Sequence, residues 1–294
     1  MADLIVTGST RLVGVLGDPV AHSRSPAMHN AAFRALGLDW CYVPLHVAPA
    51  QIEAALRGLV ALGFVGANVT IPHKEAAARL ADELTPAAAA IGAVNTLTVL
   101  PGGRLRGDNT DAGGTLAALR EAGVEVAGQC AVVLGAGGSA RAVAYALAAG
   151  GAHVVLANRT PERAATLAAG LQPHVAGRLE AVALANAGAL EAALARARLL
   201  VNATSVGLHP GPDLSPLPEG VGLHPGLAVL DLVYAPRQTR LLRQAADAGC
   251  KTVEGLRLLV HQGALSFALW TGRPAPLDVM WRAAVDGSAM PAGA

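Results

Sequence analysis

Cys130-Ala-Val-Val-Leu134 is an uninterrupted apolar run that ends directly on Gly135-Ala-Gly-Gly-Ser-Ala140, and the next stretch, Ser139 to Ala149, has the composition of a helix. Such a continuous run is what a strand buried on both faces requires, as in a parallel sheet covered by helices. A second apolar run, His153-Val-Val-Leu-Ala157, follows at the distance that closes a βαβ unit. Within that frame Gly135 permits a tight turn, Gly137 lets the backbone approach a pyrophosphate, and the small Ala140 allows close helix–strand packing. Ala136, Gly138 and Ser139 complete the loop, and the free N–H groups of the helix start face an anion. The context predicts a Rossmann-like dinucleotide site; a glycine turn that merely reverses the chain is the alternative.

The second strand of the unit ends at Ala157 and is followed by Asn158-Arg-Thr160. An NAD site carries a carboxylate near this point for the ribose hydroxyls, and none is present. Arg159, with Arg163 one turn into the next helix, offers charge-assisted bonds to a 2′-phosphate, which points to NADP(H). Two solvated surface arginines are the competing reading. Under either, Thr160 is expected to cap a helix that starts at Pro161.

The chain has 294 residues, enough for two lobes. Its apolar stretches, though 53% of residues are hydrophobic, break well before the ~18 residues a membrane span needs. The first residues lack a basic segment and a long apolar segment, so a cytoplasmic location is expected. A formal charge of +1, from 22 basic and 21 acidic residues, leaves no electrostatic footprint for nucleic acid or an anionic membrane. Cys41, Cys130 and Cys250 form no paired motif, so no metal cluster or disulfide framework is expected. Only Lys74 and Lys251 among the basic residues are lysines. An amine, unlike a guanidinium, can exchange its proton near neutral pH when its surroundings lower its pKa.

The first third alternates strand-like runs (12–16, 40–45, 66–71, 93–100) with helical patterns (26–36, 52–62, and an Ala-rich helix after His73). This describes an α/β lobe with a mainly parallel sheet. After the glycine unit come strand-like runs at 199–202 and 228–233, separated by the Gly/Pro-rich stretch 209–226, read as a flap. The stretch 255–270 reads as a helix that returns to the first lobe, with a Pro-rich tail behind it. In the first lobe, His22-Ser-Arg-Ser-Pro26 precedes a helix, with Ser25 suited to its N-cap; Ser23 and Ser25 either bind a carboxylate there or serve as cap and loop residue. Thr70 and Lys74 stand at a strand end, where open α/β sheets place their sites. Asn95 and Asp111 add polar groups at further loop ends.

Gly17-Asp-Pro-Val-Ala-His-Ser-Arg-Ser-Pro26, Asn68-Val-Thr-Ile-Pro-His-Lys74, Gly92-Ala-Val-Asn-Thr96, Gly107-Asp-Asn-Thr-Asp111, Gly135-Ala-Gly-Gly138, Asn158-Arg-Thr160, Asn202-Ala-Thr-Ser205, Asp231-Leu-Val-Tyr234 and Gln262 are, in this order, similar to the shikimate dehydrogenase family. The resemblance covers most of the chain. It implies NADPH-linked reduction of 3-dehydroshikimate in aromatic amino acid biosynthesis, with Lys74 and Asp111 as the catalytic pair. Ser23 and Ser25 would bind the carboxylate, and Thr70, Asn95 and Gln262 the ring hydroxyls, with Tyr234 nearby. On the cofactor side it implies the glycine loop, Asn158, Arg159, Thr160, Arg163, Thr204, Leu232 and Gly255. The domains expected are 1–110 with 256–294 for substrate and 111–255 for NADP(H), with homodimerisation left open. The chain departs from the family at His73, often Phe, at Leu232-Val233, commonly Met-Phe, and at Ala112, commonly Gly. His73 reads as an aromatic substitute, not a catalyst. Rival readings are a quinate or dual NAD/NADP enzyme, a methylene-tetrahydrofolate dehydrogenase-like enzyme, and a non-catalytic NADP/shikimate-binding regulator.

Overall fold

A computed structural model describes residues 6–287. Contacts divide the chain into two compact units, one running up to Thr110 and resuming at Leu259, the other Asp111–Leu258. In the first unit the chain builds β1 (Arg11–Gly17), α1 (Ser25–Ala35), β2 (Trp40–His46), α2 (Ile52–Ala61), β3 (Gly66–Val69), α3 (Lys74–Leu80), β4 (Glu83–Leu84), α4 (Pro86–Ile91), β5 (Thr96–Val99) and β6 (Leu105–Asp108). The sheet order is β2-β1-β3-β5-β6-β4. Pairing is parallel for β1 with β2 and β3 and for β4 with β6, but antiparallel for β3–β5 and β5–β6. The expected parallel sheet therefore carries an antiparallel hairpin that the sequence reading lacked. The run expected as a strand to residue 71 leaves the sheet after Val69, because Ile71-Pro72 turns the chain outward with Ile71 exposed. The core under this sheet gathers Leu16, Leu56, Leu59, Val69, Val94 and Leu97.

The second unit follows with α5 (Thr110–Glu121), β7 (Cys130–Leu134), α6 (Gly138–Ala149), β8 (His153–Asn158), α7 (Pro161–Leu171), β9 (Leu179–Ala183), α8 (Ala187–Arg196), β10 (Leu199–Asn202), β11 (Ala228–Asp231), α9 (Arg240–Asp247) and β12 (Lys251–Glu254). Its sheet, β12-β11-β10-β7-β8-β9, is parallel throughout. The apolar runs are explained by burial on both sides. Val133, Leu156 and Val201 pack into one core with α6 and α7, while Val132, Val155 and Leu200 pack into another with α8 and α9. This is the doubly wound arrangement expected of a Rossmann-like unit. The stretch 209–226 forms only turns, as its Gly and Pro content demands.

The chain passes back within α10 (Gly255–Thr271) and ends its described part with α11 (Leu277–Asp286), a helix where the sequence suggests only a Pro-rich tail. From Leu259 onward these residues complete the first unit. The Trp270 indole N–H donates to the Leu97 carbonyl (2.9 Å), and Gly66 is where it fits, since a Cβ there would stand against Leu97 O and the indole. The chain holds only three each of Phe, Tyr and Trp. Phe33, Trp40, Tyr42, Phe267 and Trp270 converge here, so the returning helix finds its largest apolar contacts in one place.

His29 lies inside this aromatic cluster, fully buried and stacked on Tyr42 at 4.4 Å, and neither ring nitrogen has a hydrogen-bond partner. Burial pushes its pKa down from 6.5 to about 3, so it folds as the neutral ring. The unfolded chain binds this proton and the folded chain does not, so the stability His29 supports is full above pH ~6.5 and is lost as pH falls towards 3. His29→Leu should remove a slope of about 1.4 kcal/mol per pH unit between pH 6 and 4. Urea titrations of wild type and variant across that window test it; parallel pH dependences would refute it.

Candidate active site

In the first unit Ser25 is the first residue of α1, and Arg24 occupies the cap position with no side-chain cap bond. Ser25 is thus not the N-cap. Its N–H instead donates to Ser23 Oγ (3.3 Å), which joins the two serines in one turn ahead of Pro26. Thr70 follows β3, held by its N–H to the Leu16 carbonyl (2.9 Å), and the missing side chain of Gly17 makes room for its methyl. Lys74 opens α3 and is only 9% exposed; its carbonyl accepts the Val94 N–H (2.9 Å), which ties it to the stretch that carries Asn95. His73 is fully buried beside it and donates from Nε2 to the Val47 carbonyl (2.7 Å). It is therefore an anchoring donor as well as an aromatic filler.

Asn95 and Gln262, 167 positions apart, are brought together: Asn95 Nδ2 donates to Gln262 Oε1 at 3.2 Å. Around them lies a buried polar network that the sequence reading missed, made of Asn68, Thr96, Thr110 and Ser266. The one available signal was Ser266 standing one helical turn after Gln262. Lys251, by contrast, is exposed and donates from Nζ to the Ala122 carbonyl at 2.8 Å, a helix-end contact. Position, not residue type, separates the two lysines.

In the second unit the glycine loop behaves as its residues demand. Gly135 has φ +111° and its N–H donates to the Ala157 carbonyl (2.8 Å), while a Cβ would meet the Ala203 carbonyl and Thr204 Cγ2 at 3.2 Å. Gly137 caps α6 with no side-chain bond, and a Cβ there would project into open space. Gly138 and Ser139 form the first turn of a 12-residue helix whose N-terminal end attracts an anion. This fits a dinucleotide pyrophosphate.

At the end of β8, Asn158 Nδ2 donates to the Thr160 carbonyl (2.9 Å). Thr160 occupies the cap position before Pro161 but makes no side-chain cap bond, so that expectation holds for its place and not for its hydrogen bond. Arg159 and Arg163 are exposed, and among the described residues neither meets a carboxylate, whereas Arg178 and Arg196 share Glu180 nearby.

Thr204, Leu232 and Gly255 meet at the carboxyl ends of β10, β11 and β12. Thr204 N–H and hydroxyl both donate to Asn202 Oδ1 (3.0 and 2.7 Å), Leu232 N–H donates to the Asn202 carbonyl (2.9 Å), and a Cβ on Gly255 would strike the Asp231 and Leu232 carbonyls. Beneath them Asp231 accepts from Thr239 Oγ1 (2.6 Å), Val233 N–H (3.0 Å) and Asn202 Nδ2 (2.8 Å). Burial still outweighs these donors and raises its pKa to about 6. The Asn202–Asp231 pair thus holds the loops that carry Thr204 and Leu232. Tyr234 follows β11, half-buried, and Asp111 is buried in the first turn of α5, where the helix dipole favours a carboxylate.

Among the described residues no cluster of metal ligands occurs and no helix is long and apolar enough to cross a membrane. A doubly wound unit with an open glycine-capped helix, joined in one chain to an α/β unit with a buried Lys and paired amides, defines a dinucleotide-dependent oxidoreductase. Family profiles match in three places: the shikimate dehydrogenase substrate binding domain over residues 15–97, shikimate / quinate 5-dehydrogenase over 117–208, and the shikimate 5'-dehydrogenase C-terminal domain over 255–285. A shikimate dehydrogenase (NADP(+)) of Methanopyrus kandleri is 49% identical over 96% of this chain and 97% of its own, and that of Symbiobacterium thermophilum 51% identical over 95% of each. The crystal structure of shikimate 5-dehydrogenase from Thermus thermophilus in complex with NADP(H) and shikimate superposes with a TM-score of 0.84, at 44% identity over 95% of this chain and 100% of that one. The chain belongs to the shikimate dehydrogenase family.

Proposed function

We propose that the chain reduces 3-dehydroshikimate reversibly to shikimate with NADPH, a step of aromatic amino acid biosynthesis, with the first unit holding the substrate and the second the cofactor. The observation that carries this reading is Lys74: one of two lysines in the chain, buried at a strand end in the unit that also presents Thr70, the paired amides Asn95 and Gln262, and the Ser23–Ser25 turn. Bound NADPH supplies the hydride that reaches the carbonyl carbon. As negative charge develops on the carbonyl oxygen, the Lys74 ammonium hydrogen-bonds it and passes it a proton, with Asp111 as the carboxylate partner in proton handling. Ser23 and Ser25 hold the substrate carboxylate, Thr70, Asn95 and Gln262 orient the ring hydroxyls, and Tyr234 contributes to substrate binding.

On the cofactor side residues 135–139 cradle the pyrophosphate. Arg159 and Arg163 take the 2′-phosphate beside Asn158 and Thr160, and Thr204, Leu232 and Gly255 line the nicotinamide end. A small acid and a dissociable cofactor are its partners, without nucleic acid or membrane, in the cytoplasm. The test is NADP⁺ reduction with shikimate, set against quinate and repeated with NAD⁺. Turnover with shikimate and NADP⁺ exceeding the other combinations is the expected result; no turnover with shikimate would overturn the reading.

A further inference from the structure

We propose that Thr96, Thr110 and Ser266 form a hydroxyl pivot that positions Asn95 and Gln262 for the substrate, an inference that rests on the function just proposed. The three hydroxyl oxygens lie in mutual contact, 2.9 Å for Thr96–Ser266 and 3.1 Å for both Thr96–Thr110 and Thr110–Ser266. Thr96 and Ser266 are fully buried and Thr110 is 4% exposed. Valine at 96 and alanine at 266 would fill nearly the same space without the cost of burying hydroxyls, so three polar groups here call for a reason beyond packing.

The reason lies in what they bond. Asn95 Oδ1 accepts the Thr110 N–H (2.7 Å) and the Thr96 hydroxyl (3.1 Å). A backbone N–H must face an oxygen, so the Asn95 amide can point only one way. Its Nδ2 hydrogens then go to Thr110 Oγ1 (3.0 Å) and to Gln262 Oε1 (3.2 Å). Gln262 in turn is fixed from both sides: its Nε2 donates to the Leu259 carbonyl (2.7 Å), and its own carbonyl accepts the Ser266 hydroxyl (3.1 Å). Ser266 also accepts from Asn68 Nδ2 (2.9 Å), which anchors α10 to β3.

Both Asn95 Nδ2 hydrogens therefore already meet acceptors within the fold. A substrate hydroxyl reaches Asn95 by replacing Gln262 Oε1, while the Gln262 side chain turns to share that hydroxyl. The pivot keeps the Asn95 amide plane and the Gln262 backbone still during this exchange. These are positioning residues: they act through Asn95 and Gln262.

Thr96→Val and Ser266→Ala test this, with Thr96→Ser as the conservative control. Each apolar variant should raise KM for shikimate about tenfold, the cost of one misdirected buried hydrogen bond, with a smaller change in kcat and an unchanged KM for NADP⁺. Thr96→Ser, which keeps the hydroxyl, should restore wild-type KM. A purely structural role would lower Tm without moving the shikimate KM; that pattern in Thr96→Val, or in Ser266→Ala should the first not fold, overturns the pivot. Wild-type turnover separates the two levels: without it the proposed function falls and takes the pivot with it, and with it an unshifted KM removes the pivot alone.

Discussion

Lys74→Ala is expected to lower kcat by about 10²–10⁴-fold, the range a positioned acid–base group contributes. KM for NADP⁺ should stay within roughly twofold of wild type, because the nucleotide site proposed above lies on the other unit's loops. The lysine is nearly buried, so truncation also leaves a small void in the first unit. Lys74→Met, which fills that void without an ammonium, distinguishes the two effects: it should recover Tm and not kcat. Lys74→Arg keeps a positive charge but holds its proton far too tightly to exchange it at neutral pH, so it should remain slow. Near-normal kcat in Lys74→Met would rule out proton handling at this position.

Replacing Arg159 and Arg163 together by alanine should raise KM for NADP⁺ by about 10²-fold and leave KM for NAD⁺ nearly unchanged, so the preference between the cofactors collapses. Their setting supports a difference this large. Arg159 and Arg163 stand close together in sequence after β8 and, among the described residues, neither meets a carboxylate, whereas Arg196 pairs with Glu180 and Arg243 with Asp213. Both substitutions are on the surface, so Tm should hardly move. Because a phosphate carries the discrimination, added salt should weaken NADP⁺ binding more than NAD⁺ binding in the wild type and equally in the double variant. A preference for NADP⁺ that survives both substitutions would mean that the arginines are ordinary solvated side chains.

How far these features are readable without coordinates depends on where each element sits. β7, the glycine loop, α6 and β8 stand out because strands buried on both faces produce unbroken apolar runs and because Gly135 has a backbone angle that disfavours other residues. β9 and β12 lack that signal: at the sheet's two edges Leu179–Ala183 and Lys251–Glu254 are only partly covered. α11 is marked by little more than Met280 and Ala284 on its buried side, behind a run of prolines that reads as a break. The β5–β6 hairpin turns on Gly102 and Gly103, both at positive φ; its first strand lies in the strand-like run 93–100, but Leu105-Arg-Gly-Asp108 is too short and polar to announce the second.

The candidate site divides in the same way. Lys74, Thr70 and the glycine loop can be located because strand ends and helix starts are where open α/β sheets hold ligands. Gln262, Tyr234, Thr204, Leu232 and Gly255 emerge only through likeness to relatives, since each looks like an ordinary helix or loop residue by itself. The hydroxyls of Thr96 and Ser266 are less visible still. They are 170 positions apart, and each has the look of a small residue filling its own element until the fold brings them to 2.9 Å.

The chain's excursion out of the first unit at Thr110 and back at Leu259 has a consequence for its synthesis. Ribosomes add roughly 5–20 residues per second, so β6 is made about eight to thirty seconds before Gln262, Ser266 and Trp270. During that interval the groove beside Gly66 lacks its indole, and the Asn68 amide lacks one of its acceptors. The second unit, contiguous from Asp111 to Leu258, meets no such delay and can condense first. The nascent chain thus acquires the unit that carries the glycine loop while the one that holds Lys74 is still waiting for its last helix.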